Sequence, residues 1–132
     1  MLQVSDLRYL EDIGIVVDAT VAPGVVVEDR VDWSDAPTQP YHPAYDNLKV
    51  YGDAKLLLVP VATYRGQLAS LDMEWGALES ILDYHLQNSE VISITARDWA
   101  NGVANWRRCV QYLRERGCRF VTLSQVASEW GR

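Results

Sequence analysis

Cysteine and histidine are scarce in this chain, two of each in 132 residues. Two thiols, Cys109 and Cys118, are too few for a disulfide framework. They fall where a helix and the start of a strand are expected, so both read as free thiols, buried or half-buried. No Cys-x-x-Cys spacing offers thiol redox chemistry. The histidines, His42 and His85, cannot complete a metal site without further ligands. His42 and Asp46 stand four apart, but Pro43 between them spoils the helical geometry that would align the pair; His85 reads as a partly exposed residue on a helix face. Long apolar runs are missing too. The longest, Leu56 to Ala62, is far short of the roughly 20 residues that span a bilayer. Met1 to Glu11 carries Asp6, Arg8 and Glu11 and no apolar stretch of a secretory signal. No membrane partner is expected, and the chain reads as cytoplasmic. Gly-x-Ser-x-Gly, Gly-x-Gly-x-x-Gly and a phosphate loop ending in Lys-Ser or Lys-Thr are all absent, so serine acyl transfer and the common nucleotide-binding modes lack their signatures.

What remains is an ordinary globular composition, 48% hydrophobic and 23% charged, long enough for one domain with one core. The formal charge of −6 is unevenly placed: residues 97–132 carry a net +4, which leaves −10 on residues 1–96. Overall acidity argues against nucleic acid, whose phosphates need neutralising. Arg107, Arg108, Arg114 and Arg116 fall mostly on the polar side of a helical pattern and read as a solvated face.

Leu7 and Leu10 mark a short helix closed by Gly14. Ile13, Ile15, Val16 and Val17 form a β-branched run expected to be buried on both faces, with Asp18 at its end. Residues 22–54 hold four of the five prolines with Trp33, Tyr41, Tyr45 and Tyr51, and only Val25 to Val27 resembles a strand. So long a connection reads as functional. Rings interleaved with carboxylates suit a sugar-binding groove, though the same rings could instead pin the loop to the sheet. Lys55 to Val61 is a buried strand. Leu68, Leu71, Trp75, Leu78, Ile81, Leu82 and Leu86 predict an amphipathic helix, Val91 to Thr95 a strand, Val103 to Leu113 a second helix ended by Gly117, and Arg119 to Leu123 a third strand, after which Ser124 caps a last helix. Strand, helix, strand, helix, strand predicts an α/β fold in which βαβ units make a parallel sheet covered by helices.

In such folds reacting groups collect at the C-terminal ends of strands. Asp18, Thr63-Tyr64-Arg65, Arg97-Asp98-Trp99 and Ser124 qualify. Asp98 is the catalytic candidate, although it or Asn101 could simply cap the second helix; Trp33, Tyr41, His42, Arg97 and Trp99 are the candidates for substrate contacts.

The stretch Leu7-Arg-Tyr-Leu-Glu-Asp-Ile-Gly-Ile-Val-Val-Asp-Ala-Thr-Val-Ala-Pro-Gly24, then Ala36-Pro-Thr-Gln-Pro-Tyr-His-Pro43, Leu56-Leu-Leu-Val-Pro-Val61 and Leu113-Arg-Glu-Arg-Gly-Cys-Arg-Phe-Val-Thr-Leu123, resembles in order the C-terminal half of the polysaccharide deacetylase family, or NodB homology domain. The resemblance implies a distorted (β/α) barrel that removes N-linked acetyl groups from carbohydrate. It also implies a divalent, zinc-like metal held by an aspartate and two histidines, with a further aspartate as base. Those motifs belong to the family's N-terminal half and have no counterpart here, and where many members carry a late histidine this chain has Ile94-Thr-Ala-Arg-Asp-Trp99. The expectation is therefore one partial domain over residues 1–132 that binds no metal alone and has little activity of its own. A missing N-terminal half, a second copy or the chain's own residues 22–54 would cover its sheet edge. The alternative is a non-catalytic module that binds glycan or pairs with another subunit.

Overall fold

A computed structural model describes residues 2–97 and 103–131. The chain opens with helix α1 (Asp6–Asp12), which buries Leu7 and stops where Gly14 takes φ +85°, a conformation glycine adopts without strain. Strand β1 (Val17–Asp18) follows. Residues 22–54 are not an unstructured loop: they fold into two hairpins, β2 (Val26–Val27) with β3 (Val31–Asp32), and β4 (Pro43–Ala44) with β5 (Asn47–Tyr51), all antiparallel. Strand β6 (Leu57–Leu58) lies at the centre, and β7 (Thr63–Tyr64) and β8 (Gln67–Leu68) form a third hairpin. Helices α2 (Trp75–Asn88), α3 (Val103–Glu115) and α4 (Leu123–Trp130) complete the order.

The architecture is mixed α/β, but its sheets are small and one pair alone is parallel among the described residues: β1 with β6, in register Val17↔Leu57 and Asp18↔Leu58. The expected parallel sheet of a half barrel is thus corrected. Backbone bonds extend the parallel association, from Val59 N–H to Asp18 O at 2.8 Å and from Val61 N–H to Val21 O at 2.8 Å. The far side of β6 is where the pattern departs. There Tyr41 exchanges both backbone bonds with Leu58, at 3.0 and 2.8 Å, and so takes the place a parallel neighbour would fill. Residues 91–95 touch the end of this sheet through one bond, Ala62 N–H to Ser93 O, and pair further along with 69–71, Thr95 N–H to Ala69 O and Leu71 N–H to Thr95 O. Arg119 to Phe120 and Val121 are not a strand.

Other expectations shift in detail. Ile13, Ile15 and Val16 are 56%, 41% and 58% exposed instead of buried on both faces. Helix α2 begins at Trp75, not Leu68, because Arg65 (φ 51°) and Gly66 (φ 77°) turn the chain into a two-residue hairpin first. The Glu74 side chain then accepts from Gly76 N–H and starts the helix. The last helix is capped by Thr122, whose hydroxyl accepts from Gln125 N–H while the Gln125 side chain accepts from Thr122 N–H; Ser124 lies inside the first turn. No helix among the described residues is long and apolar enough to cross a membrane.

The core follows from the two-residue period of β6. Leu56 and Leu58 pack with Leu7, Trp33 and Tyr41, whereas Leu57 and Val59 face Val126 of α4. A third cluster joins Leu78, Ile81 and Leu82 of α2 to Cys109 and Leu113 of α3. Both cysteines are free thiols, Cys109 buried and Cys118 half-buried, as expected. Arg107, Arg108 and Arg114 of α3 and Arg116 just after it are all exposed, a solvated face as expected, and two of them also lie against rings. Arg108 lies 4.6 Å from the Trp75 ring centre and Arg116 3.4 Å from that of Tyr112, and the two rings meet edge to face. Burial and a bond to Asp83 push the Tyr112 hydroxyl up to about 12, so it remains a donor across the α2–α3 contact.

Candidate functional site

The buried segment from β6 runs into Thr63-Tyr64-Arg65, one of the strand ends singled out by position. Here the structure builds an open groove of about 620 Å³ between the β7–β8 hairpin and the outer face of α2. Tyr64 and Tyr84 stack with ring centres 4.8 Å apart and planes 22° from parallel. Arg65 lies 5.1 Å from the Tyr64 ring centre. Gln67, Ser80, Asp83 and Gln87 add polar groups to the walls. The lining is held from below. His85, 2% exposed, is not the partly exposed residue expected from its helix position: Nε2 stands 2.7 Å from Thr63 O and Nδ1 2.7 Å from Ser89 Oγ. Thr63 Oγ1 in turn donates to Pro23 O at 2.6 Å. Flat rings, both signs of charge and amide groups around an open, rigidly backed groove are what a hydroxyl-rich ligand such as a sugar can use.

The residues chosen earlier for substrate contacts fare differently. Trp33 is 6% and Tyr41 2% exposed, so neither offers a ring face to a glycan; both belong to the core around Leu7. Tyr41 donates to Leu48 O at 2.6 Å, and burial, with Tyr51 beside it, holds its hydroxyl far above the ordinary tyrosine value. These rings pin the hairpins to the sheet. His42, 8% exposed, has no hydrogen-bond partner for either ring nitrogen among the described residues, and its carbonyl accepts from Gly52 N–H. Arg97 is exposed, and its N–H donates to Asp72 at 3.2 Å, in the region of the third cluster. The structure does not gather these residues into one groove. Asp98, Trp99 and Asn101 lie outside the described residues.

Neither a protein-family model, nor a curated protein, nor a solved structure matches this chain. The function therefore has to be read from its own geometry. Among the described residues no three His, Cys, Asp or Glu side chains come together to hold a metal ion. The aspartate-and-two-histidine set implied by the resemblance does not fit: His42 is embedded beside the core and His85 is fully engaged with Thr63 and Ser89. Sequence reasoning placed Tyr64 and Arg65 at one of four eligible strand ends but did not choose them for substrate contacts. It missed Tyr84, because only the fold of α2 over the hairpin brings the second ring across.

Proposed function

We propose that this chain is a carbohydrate-handling α/β domain of the polysaccharide deacetylase kind whose described residues bind glycan and do not carry that family's metal-dependent deacetylating centre. The observation that carries the reading is the groove of stacked Tyr64 and Tyr84 with Arg65, Gln67, Asp83 and Gln87 at the strand-end position. The ordered likeness of four segments to the C-terminal half of that family supports the substrate class. The failure of the histidines to meet as ligands argues for binding over hydrolysis of the amide.

Titration of N-acetylglucosamine oligosaccharides by NMR tests it. Binding should perturb Tyr64, Tyr84 and Gln67 amides and weaken about tenfold in Tyr84→Ala, the scale of one lost aromatic contact. Shifts confined to Trp33 and Tyr41, or acetate release from these oligosaccharides when zinc is added, would refute the reading.

A further inference from the structure

The Thr63 carbonyl that anchors His85 also decides where that ring keeps its proton. A carbonyl only accepts, so at 2.7 Å Nε2 must donate to it, and the neutral ring carries its hydrogen there. In that neutral form Nδ1 keeps its lone pair and stands 2.7 Å from Ser89 Oγ, placed to accept from its hydroxyl. The imidazole is enclosed and its acceptor is itself fixed, because Thr63 also bonds Pro23. A base oriented by a third group, with its lone pair on a hydroxyl within 2.6–3.2 Å, is the geometry of an activated serine. Ser89 is half-buried and opens onto a second groove, of about 490 Å³, walled by Ile92, Leu113, Phe120, Val121 and Trp130. Directly after it in the chain, the N–H groups of Glu90 and Val91 converge on one amide oxygen, Gln39 Oε1, at 2.8 and 2.9 Å. Such a converging pair is what an oxygen gathering charge needs.

We propose that Ser89, activated by His85, is a nucleophile toward short-chain carboxylic esters held in this second groove. Oγ bonds to the acyl carbon while its proton passes to Nδ1, and the carbonyl electron pair moves onto oxygen, which takes the Glu90 and Val91 N–H groups as the Gln39 side chain swings out. Collapse breaks the ester C–O bond, and the departing alkoxide takes the proton from Nδ1. Water, deprotonated by Nδ1, then attacks the acyl-serine, releases the carboxylic acid and restores the Ser89 hydroxyl. Thr63 orients the ring but adds no full negative charge behind it, so the acyl-serine breaks down more slowly than it forms.

A fluorophosphonate probe, from which Ser89 Oγ would displace fluoride, tests the proposal on the full chain, with the adduct located by peptide mass spectrometry. One adduct per chain on Ser89 is expected, lost in a Ser89→Ala variant that still melts cooperatively, and formed about tenfold faster in Gln39→Ala, where the two donors are free. With p-nitrophenyl acetate, a burst of one nitrophenolate per chain is expected, again lost in Ser89→Ala. No adduct on Ser89 in either the wild type or Gln39→Ala, or labelling undiminished in Ser89→Ala, overturns it.

Discussion

Glu11 shows how much one side chain can tie together. From the end of α1 its carboxylate accepts from Lys55 N–H at 2.6 Å, Leu56 N–H at 3.0 Å and the Tyr45 hydroxyl at 2.8 Å, joining the helix, a hairpin and the approach to β6. Partial burial works to raise its pKa, but the bonds from Leu56, Tyr45 and Lys55 and the Lys55 charge outweigh it, and the net direction is downward from 4.5. A carboxyl whose folded pKa is depressed contributes stability that is complete above its unfolded value and disappears as pH falls through the folded one. The melting temperature should therefore fall on acidification below about pH 4.5. Glu11→Gln should melt lower at pH 7 and show a shallower acid limb; parallel limbs for the two proteins would show that Glu11 does not set it. Trp33 makes the complementary point, that an aromatic residue in a polar stretch need not be a ligand contact. At 6% exposure, Trp33→Ala should cost about 3–5 kcal/mol in chemical denaturation. A loss under about 1 kcal/mol would return the ring to the surface.

At the scale of elements, helices were more legible than strands. The bodies of α2 and α3 follow from apolar residues at three- and four-residue spacing, and Gly14 and Gly117 mark ends at φ +85° and +81°. Of the runs 13–17 and 119–123 only the end of the first is a strand, because a β-branched run looks the same whether a neighbour covers it or not, and coverage is decided by residues far away, here by Leu57 pairing with Val17. The β7–β8 turn was hidden because Arg65 is a residue that seldom takes positive φ. The candidate site divides along the same line: Thr63-Tyr64-Arg65 could be found from strand position, whereas Tyr84 and the His85 beneath it join it only through contacts 20 and 22 residues apart in the chain. The start of α4 offers a clean check on local reading. Thr122, not Ser124, closes both halves of a capping box, so Thr122→Ala should lose about 1 kcal/mol. That lowers the melting temperature by about 4 °C, while Ser124→Ala leaves it within about 1 °C; the reverse order would restore Ser124 as the cap.

The whole molecule is held by three separate clusters, two of which meet at β6 through Leu58 and Leu57, and among the described residues β1 has a strand neighbour on one side. Ile13, Ile15 and Val16 stand exposed on the approach to a strand that, among the described residues, pairs with β6 alone, a combination that favours association between chains. Opposing it is the net charge of −6, concentrated as −10 on residues 1–96, which keeps like chains apart at low ionic strength. The balance should shift with salt. Screening shortens the reach of that repulsion from about 30 Å at 0.01 M to about 8 Å at 0.15 M, while the apolar contact is not weakened. Light scattering should accordingly report a mass that rises with protein concentration, and more steeply at the higher salt. A lysine at the exposed position, Val16→Lys, places a charge on the edge while leaving the Val16 carbonyl free to accept from Leu57 N–H as it does now, at 2.9 Å. This variant should stay monomeric at both salts and melt within about 1 °C of the wild type. If instead it associates as the wild type does, the apolar face of α3 and the segment at Phe120 and Val121, not the β1 edge, must be what brings chains together, and Phe120→Lys should then be the variant that keeps them apart.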